Sequence, residues 1–163
     1  MAASERVLVH SRYAYDRLAA IPGVAPKLAV LPMVDVLVPN DAPVVERSEL
    51  FGRFGIPEDH LVVASFGFVA PTKLNHEVCE AVRRIDARDG PVCYVMVGEG
   101  AYVDAYLDGR IRKTEYVSDE EFRSFMAHAD LVVNLRDPSM GETSVSLLMA
   151  MASGRACVVN DVP

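Results

Sequence analysis

Along the chain, short apolar runs rich in valine alternate with segments whose apolar positions recur every three or four residues. The first kind reads as buried strands, the second as amphipathic helices. Val7 to His10 is the first such run. Ser11 follows as an N-cap for a short helix through Ala20, which Pro22 and Gly23 halt. A second strand is predicted from Leu28 to Leu31, closed by Pro32, and a link bearing Pro39 and Pro43 comes next. Arg47 to Phe54 puts Leu50, Phe51 and Phe54 on one side of a short helix. Gly55 suits its C′ position and Pro57 blocks continuation.

The pattern then becomes more regular. Leu61 to Phe66 reads as a buried strand, followed by a loop through Gly67 and Pro71. A helix of about fifteen residues is predicted after it, with Val78, Ala81, Val82 and Ile85 as its apolar face. Val92 to Val97 is another strand, ending in Gly98-Glu99-Gly100. Tyr102 to Leu107 is expected as a short helix and Thr114 to Val117 as a short strand. Ser118 and Glu121 have the spacing of a capping box, ahead of a helix that buries Phe122, Phe125, Met126 and Ala129. Leu131 to Leu135 reads as a strand and Arg136 to Gly141 as a loop. A helix from Thr143 to Ser153 is closed by Gly154, and Ala156 to Asn160 is the last strand. Strands that read as continuous apolar runs and alternate with helices imply a parallel sheet covered on both faces, a doubly wound α/β domain. Such a domain normally adds a helix after its last strand, so the chain is expected to be a piece of a longer protein.

Composition narrows the function classes. At 163 residues the chain can bury one core. A net charge of −7 argues against wrapping nucleic acid, but leaves room for a local basic pocket. No apolar run approaches the roughly 20 residues that span a bilayer, and the N-terminus lacks the apolar core of a signal peptide. Cys79, Cys93 and Cys157 sit far apart in apolar contexts. They read as reduced, structural thiols in a cytoplasmic protein. His10, His60, His76 and His128 form no metal-binding spacing, so no metal is expected. Neither a Walker loop nor a GxSxG elbow occurs. Arg110, Arg112 and Lys113 read as a solvated strand entry.

Ligands of open α/β sheets bind at the carboxyl ends of the strands, and three loops fall there. In Gly67 to Lys73, the glycine lets backbone approach a ligand, and Lys73 stands near a helix start where diphosphate could bind. By itself Lys73 is more simply a solvated surface lysine. The lone GxG of Gly98-Glu99-Gly100 is more simply a tight turn, and it lacks the third glycine of a dinucleotide fingerprint. In the third loop, Gly141, Glu142, Thr143 and Ser144 crowd a helix start. Thr143 or Ser144 caps that helix, and the same groups could hold sugar or phosphate oxygens. Both readings can hold together.

Taken together and in order, these loops resemble the C-terminal domain of the group 1 (family 4) glycosyltransferases of the GT-B fold. VLVHSRYAYDRL…KLAVLPMVDV is similar to that family's interdomain crossover. FGFVAPTKLNHEVCEAVRRI resembles its GRLxxxKG strand–loop–helix, and VCYVMVGEG its LxIVGxGP strand. TEYVSDEEFRSFMAHADLVVNL and SMGETSVSLLMAMASGRACVVNDVP resemble the two most specific motifs, FxGxVSDEELxxLYxxADVxVxPS and ExFGxxxLEAMAxGxPVVxSDVxG.

The resemblance implies a Rossmann-like C-terminal half, truncated at its end, of a retaining transferase. Residues 1–45 are expected to hold the crossover and first strands, and 46–163 the nucleotide-sugar-binding domain. The donor would be a UDP- or GDP-type diphosphate sugar. An N-terminal domain of the full-length chain would supply the acceptor site, and any membrane association would come through that full-length protein. By position, Lys73 matches the family's diphosphate lysine and Gly67 the glycine of its loop. Phe68 stands where the family has a phosphate-binding arginine. Val117 and Ser118 match the loop beside the nucleobase. Met149 stands in place of the glutamate that binds ribose. Gly141 falls on the place of the other glutamate, and Glu142 beside it is the candidate replacement with a catalytic role. Thr143 and Ser144 are expected in the turn facing diphosphate and sugar. Two other readings remain: a non-catalytic relative serving as a binding or scaffolding module, and an improbable dinucleotide oxidoreductase.

Overall fold

A computed structural model describes residues 4–33, 44–86, 88, 90–139 and 141–161. The link with Pro39 and Pro43 lies outside the described residues. Two parallel sheets are present. A small one pairs β1 (Val7–Val9) with β2 (Leu28–Val30) across α1 (Arg12–Ala19). Ser11 caps α1, its hydroxyl accepting from the Ala14 amide. Val9, Val24 and Leu28 are buried together beneath that helix.

After α2 (Arg47–Phe54) comes the main sheet. It contains β3 (Leu61–Phe66), β4 (Val92–Val97), β5 (Ile111–Lys113), β6 (Leu131–Val133) and β7 (Ala156–Val158). Their spatial order is β5-β4-β3-β6-β7, all parallel. The intervening helices are α3 (Asn75–Arg84), α4 (Asp119–His128) and α5 (Val145–Ala152). Connections run one way from β3 to β4 and β5, then return to β6 on the other side. The switch point therefore lies between β3 and β6, where doubly wound sheets bind ligands.

Two cores cover the sheet. Leu50, Phe51, Val62, Phe66, Phe125 and Met126 belong to one, Cys79, Val82, Tyr94, Met96 and Ile111 to the other. Each fully buried side chain of this size contributes roughly 1.5–3 kcal/mol. Gly55 ends α2 at φ 63, as a C′ glycine should. Ser118 and Glu121 form a complete capping box on α4. In that helix Phe125 and Met126 are buried, as is Ala129 after it, while Phe122 is half-buried.

Four expectations are corrected. The helix after Lys73 is shorter, because the chain makes one 3-10 turn at Pro71–Lys73 and enters a left-handed conformation at Leu74 (φ 53). Its buried stripe is Asn75, Val78, Cys79 and Val82, and Ala81 is exposed. The strand expected at Thr114 to Val117 lies instead at Ile111–Lys113, where register with Tyr94–Met96 buries Ile111. Lys113 is not solvated: its side chain is 4% exposed, in ion pairs with Asp104 and Glu115. Tyr102 to Leu107 contains only a 3-10 turn, Asp104–Tyr106. The cysteines are free thiols. Burial pushes Cys79 and Cys93 up to about 11, and Cys157 is only half-buried.

The early start of the irregular segment before α3 has a visible cause. The buried Asn75 donates through Nδ2 to the Tyr94 hydroxyl (2.9 Å) and accepts from the Ala70 amide (3.1 Å). Ser65 Oγ lies 2.8 Å from the same hydroxyl. Burial holds the Tyr94 phenol protonated, pushed up to about 12. This triad pins the 67–74 loop to the sheet. Tyr94→Phe leaves Asn75 and Ser65 short of a partner, and roughly 1–3 kcal/mol of stability should be lost. Thermal unfolding reads this directly; an unchanged midpoint would remove the triad from the account.

Candidate functional site

Ordered along the carboxyl edge of the sheet are the Glu115–Val117 segment after β5, Glu99 after β4, Gly67 to Lys73 after β3, and Asn134 to Ser144 after β6. Gly67 takes φ 87, and its amide donates to Val97 O (2.9 Å). Lys73 folds back so that Nζ donates to Phe66 O (2.6 Å) at the end of β3. A Cβ at position 67 would stand 2.7 Å from that Nζ. The left-handed φ suits glycine, and any side chain here would also have to displace the Lys73 ammonium. Burial, and secondarily the nearby Arg136 guanidinium, pull the Lys73 ammonium down to about 8. A desolvated cation at a switch point is poised to gain from an anion.

The glycines of Gly98-Glu99-Gly100 serve backbone approach. A Cβ on Gly98 would lie 2.3 Å from Gly67 O, and one on Gly100 2.4 Å from Val69 O. The two loops are stitched by Val69 N donating to Glu99 O (2.8 Å). Between them and the β5 loop opens a cleft of about 270 Å³, bordered by Phe68, Glu99, Tyr116, Val117, Asp119 and Phe122. Phe68 and Tyr116 are 62% and 83% exposed at its margin. The Phe122 ring meets Phe66 edge-on at 5.0 Å. Aromatic side chains wall this cleft, and the acidic Glu99 and Asp119 stand at its border. Val117 lines this cleft. Ser118 beside it spends its hydroxyl on the α4 cap.

On the far side of Lys73, Ser144 caps α5, its Oγ accepting from Leu147 N (3.3 Å) and donating to Asn134 Oδ1 (2.9 Å). Ahead of that cap, Gly141, Glu142 and Thr143 border a second cavity of about 270 Å³, closed by His10, Ser11 and Met33. Ser11 Oγ donates to Gly141 O (3.0 Å), and the Tyr13 ring occupies the space a Cβ on Gly141 would need. The start of α1 therefore braces the turn. Arg136 pairs with Glu142 at 3.3 Å. Met149 packs against the core rather than offering a polar group. Among the described residues no His/Cys/Asp/Glu cluster could hold a metal, and no helix is long and apolar enough to cross a membrane.

Sequence reasoning missed Arg136, Tyr116, Phe122 and the two carboxylates of the cleft. Arg136, Tyr116 and Glu99 were signalled only by their place just after a strand's carboxyl end, and Asp119 and Phe122 only by their place in the first turn or so of the helix that follows β5.

The order of strands, the glycine loop and the capped turn define a Rossmann-like domain whose three strand-end loops gather around the switch point. Residues 60–163 match the family of glycosyl transferases group 1. The chain belongs to that family. Among solved structures it is similar to HepE of Anabaena in complex with UDP-glucose (16% identity, TM-score 0.77), covering 98% of this chain and 45% of that one. WaaG, a glycosyltransferase involved in lipopolysaccharide biosynthesis, matches 93% of this chain and 43% of its own (16% identity, TM-score 0.71). The C-terminal domain of LpcC from Francisella tularensis matches at 22% identity and TM-score 0.58, covering 75% and 69%. The chain thus spans less than half the length of the first structures it resembles, as a C-terminal-like part of a GT-B fold. A search of the curated proteins found no match.

Proposed function

We propose that this chain is the donor-binding part of a retaining glycosyltransferase that takes its sugar from a nucleoside diphosphate. One observation carries the reading. Lys73, half-buried and drawn down to about 8, stands at the switch point between a base-sized cleft and the Glu142 turn. A nucleotide sugar laid along this edge would put its base against Tyr116 and Val117, its diphosphate on Lys73 and Gly67, and its sugar toward Gly141, Glu142 and Thr143. The N-terminus of α5, capped by Ser144, faces the same turn and favours negative charge. Catalysis in such a site is positioning plus stabilisation of the departing diphosphate. Glu142 is the carboxylate placed nearest the sugar. An N-terminal domain of the full-length protein would bring the acceptor, and the free thiols suit a cytoplasmic setting. HepE, crystallised with UDP-glucose, lends support to a uridine donor.

Calorimetric titration with UDP, GDP and their glucose and mannose conjugates tests the reading. Saturable binding below millimolar is expected. A chain that binds none of them at millimolar concentration is instead the non-catalytic module. Phe68 and Met149, in the places of an arginine and a ribose-binding glutamate, speak for that alternative.

A further inference from the structure

The family's arginine beside the diphosphate lysine is here Phe68, exposed at the cleft margin. A single cation would then face a diphosphate. The structure brings a second one from a different strand. β6 pairs with β3 in the register Val63↔Leu131 and Ala64↔Val132. The loops after both strands, one bearing Phe68 and Lys73 and the other Arg136, therefore leave the sheet as neighbours. The two loops stay tied beyond the strands: Asp137 N donates to Thr72 O at 3.0 Å, joining the neighbours of Arg136 and Lys73. Arg136 itself is pinned at both backbone groups by one side chain. Its amide donates to Asn160 Oδ1 (2.9 Å), and its carbonyl accepts from Asn160 Nδ2 (2.7 Å). Its side chain is only 19% exposed, and its guanidinium is steadied by Leu135 O (3.2 Å) and Glu142 (3.3 Å). Burial first, and the neighbouring Arg136 charge second, disfavour the Lys73 ammonium, and an anion set between the two cations would relieve both costs.

We propose that Arg136, on the loop after β6, is the second cation of the diphosphate site and takes over the task that Phe68 cannot perform. The proposal rests on the donor-binding reading. Glu142 holds the guanidinium in the free chain, and a bound diphosphate shares it. A guanidinium suits this place because its planar fork can meet two phosphate oxygens while keeping an edge for a carboxylate.

The test is calorimetry of the full chain with UDP, UMP, GDP and GMP. Arg136→Ala and Arg136→Gln should each weaken the diphosphate at least fivefold and the matching monophosphate less than twofold, because only the second phosphate loses a partner. Arg136→Lys should fall between. Adding Phe68→Arg to Arg136→Gln should recover most of the loss by restoring a cation at the family's position. Wild-type chain that binds a diphosphate as tightly as Arg136→Gln does, or equal losses for mono- and diphosphate, would overturn the assignment while leaving donor binding intact. Wild-type chain that binds no nucleotide overturns both. Thermal midpoints identify any variant that fails to fold, and the remaining substitutions then decide.

Discussion

Lys73→Ala is expected to weaken diphosphate binding by roughly 10- to 150-fold, the loss of about 1.5–3 kcal/mol for a hydrogen bond to a charged group. UDP or GDP should be used, whichever the wild-type chain binds more tightly. The effect should depend on pH in a way a surface lysine would not show. With the ammonium drawn down to about 8, half of it is uncharged near that pH in the free chain. Wild-type affinity should then fall by about tenfold between pH 7 and 9, while Lys73→Ala stays flat. Stability carries the opposite sign. The folded chain gives up this proton near pH 8, whereas the unfolded chain keeps it to about 10.5. Unfolding in that window takes up a proton, so the lysine's burden on the fold lifts as pH rises. Cys79 and Cys93, whose thiols are pushed up to about 11, work against that trend at higher pH. The difference between wild type and Lys73→Met isolates the lysine. Denaturant titrations at pH 7, 8 and 9 that show parallel curves for the two proteins would dissociate Lys73 from the buried position assigned to it.

Gly98→Ala should be severely damaging. At φ 152 the backbone there lies where side chains are rarely tolerated, and the new Cβ would stand 2.3 Å from Gly67 O. The obstructing atom is backbone, so no rotamer change relieves it. Overpacking and backbone strain each cost roughly 1–3 kcal/mol, and together they reach several kcal/mol. Whatever relief occurs must part the loop after β4 from the loop after β3, which opens the cleft beneath Phe68 and Tyr116. Both the urea midpoint and nucleotide affinity should fall. Gly109→Ala, with nothing within 4 Å of its Cβ, is the matched control and should change little. A Gly98→Ala chain as stable as that control would show that the two loops do not pack as described.

Much of the site was legible as local pattern. Gly67, Lys73 and the Gly141–Ser144 turn stood out because glycines, a lysine and hydroxyls sit at strand ends. The capping box of Ser118 and Glu121 depends on residues three apart and formed as its spacing foretold. The β5 edge was hidden by its charges. Arg112 and Lys113 look like solvent-facing residues until Asp104 and Glu115 arrive to pair with Lys113. The extra length given to α3 had a similar cause. Periodicity runs through Leu74, and only the distant Tyr94 draws Asn75 inward and breaks the helix before it.

The residue order by itself determined most of the strands and helices, that the sheet is parallel, and which loops leave its carboxyl edge. These follow from apolar period and capping chemistry, which act over a few residues. Tertiary structure alone decided that the loops bearing Arg136 and Lys73 are tied together, that Tyr116 and Phe122 border one cleft, and that Tyr13 seals Gly141. Those pairs are joined by strand order and register across tens of residues of chain. No local pattern records such a distance, because it is set only when β3 and β6 come together at the switch point.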